Sequence, residues 1–105
     1  MGSIIDEKVQ FFSNRLKEKL ASHLSQIMLF GSHARGDAHP GSDYDFLVVL
    51  QNKQKQYIDI IRQTEVEFLN RFDTLSSSLV YDAAEWEMRK GLPISINISR
   101  EGVVL

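Results

Sequence analysis

The chain has 105 residues, a length that fits one domain, so we expect residues 1–105 to form a single unit. It contains no cysteine, which excludes disulfide frameworks and thiolate metal sites. The formal net charge of −2, with acids and bases mixed along the chain, argues against direct nucleic-acid binding, which usually needs a concentrated basic face. The start lacks the apolar run of a signal peptide and no stretch is long enough to span a bilayer, so we expect a cytoplasmic protein without a membrane partner.

The first predicted element is an amphipathic helix over residues 5–24. Its apolar residues recur at spacings of three and four: Ile5, Val9, Phe12, Leu16 and Leu20. The short apolar run over residues 27–30 ends at Gly31, which suits a buried strand better than a helix. Residues 31–42 are rich in glycine and contain Pro40, so we expect a long turn-rich segment with room for one helical turn around His33 to Arg35.

The second half of the chain continues this alternation. Residues 43–50 are predicted to form a strand, and residues 53–72 carry a second helical face. Residues 75–82 are a third strand candidate, and residues 85–90 are typical of a helix that stops at Gly91.

The segment after Pro93 leaves two structures open. Ile94, Ile96 and Ile98 alternate as in a strand, yet a short helix before residues 103–105 fits the sequence equally well. The order of the elements predicts an α+β (α/β-like) fold with a layer of helices on a small sheet.

The most informative segment is Gly31-Ser32, followed after ten intervening residues by Asp43-Tyr44-Asp45. Gly31 ends a strand where the chain must turn, and a glycine lets backbone approach a phosphate closely. Ser32 supplies a hydroxyl and an N–H at the start of the next turn, where exposed N–H groups attract anions. Two aspartates two apart on a strand leave the same face, about 6.6–6.8 Å apart at the backbone, while Tyr44 points the other way. Mg²⁺ bound to one or two carboxylates and to substrate phosphates relieves their mutual repulsion.

Each half of this pattern alone has a simpler interpretation. An isolated Gly-Ser pair is usually a turn, and Asp-x-Asp is usually a solvated turn or strand edge. The conjunction is much rarer, because an apolar strand precedes Gly31 and another continues from Asp45. Together the halves predict a nucleoside triphosphate site, and a P-loop NTPase is excluded because no Gly-Lys-Ser/Thr follows a glycine loop.

The stretch Gly31-Ser32-His33-Ala34-Arg35-Gly36-Asp37, followed by Ser42-Asp43-Tyr44-Asp45, resembles the signature of the minimal nucleotidyltransferases of the DNA polymerase β-like superfamily. The resemblance extends over nearly the whole chain, including residues 81–86 and 100–102. It implies a palm-like fold, with a small mixed sheet of three or four strands and helices packed on one side. It also implies that Asp43 and Asp45 are catalytic and hold Mg²⁺, and that the nucleotide is bound by Gly31, Ser32, Arg35 and Ser42. For Arg35, a surface ion pair with Asp37 is the equal alternative.

Many members of this family pair with a small all-helical HEPN protein as toxin and antitoxin. The resemblance therefore implies that the chain transfers AMP from ATP to a tyrosine of a HEPN-family partner, with Mg²⁺ as the cofactor. It leaves open the nucleotide preference, the identity of the acceptor, and whether the chain forms homo- or hetero-oligomers.

The family's third carboxylate, on the strand after the long helix, has no counterpart here. The resemblance places Ser77 at that position, and a neutral hydroxyl neither balances a second cation nor takes a proton at pH 7. Asp82 has the wrong parity along a regular strand, and Asp73 has the right parity but is expected to lie before the strand. A second hypothesis follows: a catalytically weak or inactive nucleotide-binding antitoxin that neutralises its HEPN partner by contact.

The histidines and the large aromatic residues are not expected to take part in the chemistry. His33 and His39 are expected in a solvated loop, since no third ligand at metal spacing accompanies them, and His23 is expected on the surface. The aromatic residues predicted to belong to the core or to a partner interface are Phe72, Tyr81 and Trp86.

Overall fold

The computed structural model describes residues 5–105, so residues 1–4 of the expected domain lie outside the described part of the chain. The helices are α1 (Glu7–Leu20), α2 (Ser32–Arg35), α3 (Lys55–Phe72), α4 (Ala83–Arg89) and α5 (Pro93–Glu101). The strands are β1 (Leu24–Phe30), β2 (Tyr44–Leu50), β3 (Ser76–Asp82) and β4 (Val103–Val104). None of these helices is long and apolar enough to cross a membrane.

The strands form one mixed sheet in the order β3-β2-β1-β4. β1 lies antiparallel to both β2 and β4, whereas β2 and β3 run parallel. A parallel pair needs a crossover, and α3 supplies it. This topology confirms the predicted α+β fold with a mixed sheet. It also brings the C-terminal end of β1 beside the N-terminal ends of β2 and β3.

Apolar side chains cover both faces of the sheet, unequally. On one face α1 and α3 bury the larger core. It includes the predicted stripe of the first helix except Ile5, which precedes α1 and is exposed. The buried residues of this core from the two helices and β2 include Val9, Phe12, Leu16, Leu20, Phe46, Val48, Leu50, Ile61 and Phe68. On the opposite face, Trp86 from α4 and Ile98 from α5 pack against Met28, Leu47 and Val49. The prediction of helices on one side therefore describes the two long helices, and the short C-terminal helices contact the other face. Because both faces are covered, β2 is apolar throughout most of its length.

Both boundaries of the first helix differ from the predicted range of residues 5–24. α1 begins at Glu7 because the Asp6 side chain caps it, accepting a hydrogen bond from the Val9 N–H at 2.9 Å. The helix ends at Leu20, and a 3₁₀ turn leads directly into β1 at Leu24. The strand thus starts three residues earlier than predicted, and the polar residues Ser25 and Gln26 within it do not reveal its pairing with β2 from the sequence pattern.

The segment after Pro93 is helical. Pro93 occupies the first turn of α5, where its missing N–H removes no helical hydrogen bond. Ser95 and Ile98, three residues apart, are buried, whereas Ile94 and Ile96 are exposed. Helical spacing therefore decides which side chains face the sheet, and the alternation of the isoleucines does not produce a strand there.

The predicted aromatic core residues are confirmed. Trp86 is buried, and the Tyr81 ring stacks on it with centroids 6.0 Å apart. Phe72 packs against the larger core. α4 starts at Ala83, earlier than the predicted residue 85, because Asp82 and Glu85 form a capping box at its first turn.

Candidate active site

The turn after β1 places backbone directly against an acidic side chain. Gly31 has a φ of +77°, which favours glycine, and a Cβ at this position would collide with Oδ2 of Asp45. The predicted helical turn is present as α2, which begins at Ser32 immediately after Gly31. A residue with a side chain would therefore both strain the turn and displace the carboxylate.

Asp45 lies at the meeting point of three strands. On β2 it is paired with Phe30 at the end of β1 and with Ser77 near the start of β3. The Asp45 side chain is half-buried, and the Ser77 hydroxyl donates a hydrogen bond to its Oδ1 at 3.3 Å.

The electrostatics of Asp45 favour a nearby cation. Burial raises the pKa of Asp45, and the negative charge of Asp43 raises it further. The hydrogen bond from Ser77 and the neighbouring His33 and Arg35 lower the pKa, but they do not reverse the direction of the shift. The ionised carboxylate is thus incompletely compensated by the chain itself, and a bound cation would stabilise it.

Asp43 is near Asp45 but is held differently. The predicted strand over residues 43–50 is one residue too long, because β2 begins at Tyr44 and Asp43 precedes it. Asp43 is exposed, and only its C-terminal neighbour joins the sheet, through a hydrogen bond from the Tyr44 N–H to the Leu75 carbonyl at 3.0 Å. Asp43 thus lies one position before the strand, and the expectation that its side chain leaves the same face as that of Asp45 stays a prediction.

The two carboxylates fit one class of metal site. Within residues 5–105 there is no cluster of three or more His, Cys, Asp or Glu side chains suited to enclosing a metal. Mg²⁺ is commonly held by one or two carboxylates together with substrate phosphates. Asp43 and Asp45 suit such a shared site, in which the substrate supplies the remaining oxygen ligands.

A family described as "Nucleotidyltransferase domain" matches residues 10–102. The chain belongs to this nucleotidyltransferase family. The match spans the Gly31 turn, both aspartates and the following helices and strands, so the predicted family resemblance is confirmed.

Two relatives from Methanocaldococcus jannaschii are each named "Putative protein adenylyltransferase". The first is 32% identical over 101 residues, covering 93% of this chain and 66% of the relative. The second is 28% identical over 100 residues, covering 95% of this chain and 96% of the relative. This chain therefore spans about two thirds of the first relative and nearly all of the second.

Solved structures share the nucleotidyltransferase fold. A chain from a toxin-antitoxin crystallised with AMP-PNP superposes with a TM-score of 0.59 at 18% identity, covering 89% of this chain and 68% of that one. A "putative nucleotidyltransferase" from Sulfolobus solfataricus gives a TM-score of 0.51 at 22% identity, covering 99% of this chain and 87% of that one. At these identities the similarity establishes the fold.

Neither Asp82 nor Asp73 lies beside Asp45. Asp82 pairs with Leu50 at the opposite end of β3 and caps α4. Asp73 is the C-cap of α3, before β3 begins, as its sequence position predicts. Ser77 is therefore the β3 side chain directly beside Asp45.

Arg35 and Ser42 both have partners within the chain. The Arg35 Nε lies 3.1 Å from Oδ2 of Asp37, and its Nη1 lies 3.3 Å from Oε2 of Glu101. The predicted surface pair with Asp37 is thus formed, and a role for Arg35 in phosphate binding stays a prediction. The Ser42 hydroxyl accepts a hydrogen bond from the His39 N–H at 3.1 Å, and its role in nucleotide binding is likewise a prediction.

The sequence interpretation of His33 as a solvated loop residue is wrong. His33 is half-buried, and its ring stacks on Tyr44 with centroids 3.6 Å apart and planes 10° apart. The Tyr44 hydroxyl donates to Asp6 at 2.6 Å. Burial is the main cause that raises the pKa of Tyr44, and this hydrogen bond raises it further. A buried phenol needs a polar partner, but nothing in the sequence selects Asp6, 38 residues away. His23 and His39 are exposed, as predicted.

Proposed function

We propose that this chain is a Mg²⁺-dependent nucleotidyltransferase that transfers AMP from ATP to a tyrosine of a HEPN-family partner, as the antitoxin of a toxin-antitoxin pair. The observation that carries the proposal is the half-buried Asp45 carboxylate, which lies against Gly31 and within the field of Asp43. Its raised pKa marks a place where a cation is favoured.

The comparisons support a protein acceptor and a toxin-antitoxin context. Relatives from Methanocaldococcus jannaschii are named as protein adenylyltransferases, and a structural neighbour was crystallised as a toxin-antitoxin with AMP-PNP. Those descriptions apply to those proteins. They support the same chemistry here because this chain matches the nucleotidyltransferase family and places the Gly31 turn against Asp45.

The roles of the residues follow from their positions. Asp43 and Asp45 would hold Mg²⁺, which when bound neutralises charge on the triphosphate and on the leaving group. Gly31 and Ser32, at the turn into α2, would bind phosphate oxygens through backbone N–H groups and the serine hydroxyl. Arg35 and Ser42 would contribute further phosphate contacts, Arg35 by exchanging its carboxylate partners for the nucleotide.

The transfer itself is a single displacement at phosphorus. The phenol oxygen of the partner's tyrosine forms a bond to the α-phosphorus, the bond between that phosphorus and the bridging oxygen to the β-phosphate breaks, and pyrophosphate leaves. The phenolic proton passes to solvent, because Ser77 beside Asp45 is not a base at neutral pH. Positioning and charge neutralisation, rather than a strong base, would supply the rate enhancement.

A transfer assay tests this proposal. The protein is incubated with α-labelled ATP, Mg²⁺ and a purified HEPN-family partner, beside the Asp43→Asn/Asp45→Asn double variant. We expect label on the wild-type partner, none with the double variant, and none on a partner whose acceptor tyrosine is replaced by phenylalanine. A stable complex that binds ATP but leaves the partner unlabelled would refute transfer.

One observation favours a second candidate function, a contact antitoxin with a weak or inactive nucleotide site. Ser77 occupies the β3 position beside Asp45 where the family resemblance implies a carboxylate. Neutralisation of the partner by the double variant, as fully as by the wild type, would support this candidate. Loss of neutralisation with the complex retained would instead support the transferase.

A further inference from the structure

One side chain links the two halves of the candidate site. His33 belongs to α2, the short helix after Gly31, and its Nε2 atom lies 3.0 Å from the carbonyl oxygen of Ser42. Ser42 directly precedes Asp43, so this hydrogen bond joins the phosphate-binding turn to the segment that carries the exposed carboxylate. Because a carbonyl oxygen only accepts, Nε2 carries the hydrogen in this contact.

The His33 ring is fixed by its neighbour on the sheet. It stacks on Tyr44 at a centroid distance of 3.6 Å, and Tyr44 is buried at the start of β2. The Tyr44 hydroxyl donates to Asp6 at 2.6 Å, and Asp6 also caps α1. The imidazole is therefore held against a phenol ring that is anchored to both the sheet and α1.

The segment before Asp43 has few other anchors. The Ser42 N–H donates to the His39 carbonyl at 3.0 Å, and the His39 N–H donates to the Ser42 hydroxyl at 3.1 Å, so these bonds close the loop on itself. In the described part of the chain, the bond from His33 is the hydrogen bond that ties Ser42 to a helix or strand. Movement of the His33 side chain would consequently move the backbone beside Asp43.

We propose that His33 is a positioning residue that sets the place of Asp43 relative to Asp45 through the Ser42 carbonyl. By this means His33 sets the affinity of the site for a divalent cation in the presence of nucleotide, an inference that rests on the proposed function. Loss of hydrogen bonds that orient metal ligands typically weakens metal binding by roughly 10- to 100-fold.

Two substitutions separate the stacked ring from the hydrogen bond. His33→Phe keeps an aromatic ring against Tyr44 and removes the N–H donor. His33→Gln removes the ring and keeps an N–H donor at a similar distance from the backbone. His39→Gln is the matched control, because His39 lies exposed in the loop that contains Ser42. Mn²⁺ is the probe, titrated in the presence of AMP-PNP, with thermal unfolding of each protein measured in parallel.

We expect His33→Phe to weaken Mn²⁺ binding by at least about 10-fold with little change in melting temperature. His33→Gln should retain most of the Mn²⁺ affinity despite a lower melting temperature, and His39→Gln should match the wild type. Wild-type affinity in His33→Phe, or losses that follow the melting temperature rather than the hydrogen bond, would overturn the positioning role and leave the proposed function standing. Failure of the wild type to bind Mn²⁺ with AMP-PNP would overturn the proposed function, and the positioning role with it.

Discussion

The acidic side chains at the two ends of the β2–β3 pair have pKa values shifted in opposite directions. At the end where these strands finish, Asp82 and Glu85 form the capping box of α4, and Lys53 lies 3.2 Å from Glu85. The hydrogen bond from the Asp82 backbone and that from Lys53 lower the pKa of Glu85, so its ionised form is favoured. At the end where the strands begin, burial and the charge of Asp43 raise the pKa of Asp45.

The difference separates carboxylates that stabilise the fold from the carboxylates proposed to bind a cation. A capping carboxylate has its donors within the chain, so folding alone satisfies it. Asp45 receives one hydroxyl donor, from Ser77, and shares its surroundings with a second negative charge. Such an arrangement opposes folding slightly and is offset when a cation binds. The following substitutions test this contrast.

The largest effect should come from neutralising the aspartates one at a time. Asp45→Asn and Asp43→Asn should each lower AMP transfer by at least about 100-fold, because each removes a proposed Mg²⁺ ligand. Initial rates with α-labelled ATP at saturating Mg²⁺ measure this loss. Transfer at the wild-type rate by either variant would remove that residue from the proposed metal site.

The same two variants should differ in stability. Because the folded-state pKa of Asp45 is raised, ionisation costs stability at pH values above that pKa, and the cost vanishes below the unfolded value of about 4. Without Mg²⁺, Asp45→Asn should therefore be more stable than the wild type at pH 7, and the gain should shrink as the pH falls towards about 3. Urea unfolding across this pH range measures it. Asp43→Asn, which alters an exposed group, should change stability less, and destabilisation by Asp45→Asn would contradict the contrast.

Gly31→Ala should damage both the fold and the site. The positive φ at Gly31 and the collision of a Cβ with Asp45 should together lower the free energy of unfolding by more than about 2 kcal/mol. Gly36→Ala is the matched control, because Gly36 has a φ of +82° but no atom within 4 Å of the added Cβ. It should cost only about 1–2 kcal/mol and leave Mn²⁺ binding intact. Equal effects of the two changes on metal binding would show that the close approach to Asp45 is unimportant.

Ser77→Asp should add to the uncompensated negative charge at the end of the sheet that carries the site. A third carboxylate at the site, beside Asp45, would destabilise the metal-free protein. We expect it to raise the rate of transfer with Mg²⁺ by at least about 10-fold, below the roughly 10²- to 10⁴-fold of a fully positioned base. Unfolding without metal and transfer rates with metal measure the two effects. Ser77→Ala, which only removes the hydrogen bond to Asp45, should leave the rate nearly unchanged. A Ser77→Asp variant no faster than the wild type would contradict the expected gain, and a slower Ser77→Ala variant would show that the hydroxyl itself is needed.

Local rules made part of the site predictable from the sequence. Strand parity placed Asp45 and Tyr44 on opposite sides of β2, and an apolar run stopped by glycine located the turn at Gly31. The position of Asp43 was not predictable in this way, because it depends on a loop held through His33. Contacts between distant parts of the sequence, such as the one between Tyr44 and Asp6, leave no periodic signal.

The fold shows the same division between local and distant determinants. The long helices and the apolar strand β2 follow from periodicity over many residues. The start of β1 at Leu24 and the helical form of α5 depend on packing against the sheet. Short segments have too few residues for their own pattern to outweigh such contacts.

The smallest effects should come from Asp82, at the capping end. Asp82→Asn keeps a good N-cap and removes the charge, so stability should change little, whereas Asp82→Ala should cost about 1 kcal/mol. Neither variant should alter AMP transfer, because Asp82 pairs with Leu50, five residues along β3 from Ser77. Urea unfolding and the transfer assay on the same preparations measure both. If Asp82→Asn slowed transfer while leaving stability unchanged, Asp82 would be acting at the site despite its place in the sheet. The assignment of a structural role to one end of the strand pair and a cation-binding role to the other would then be wrong.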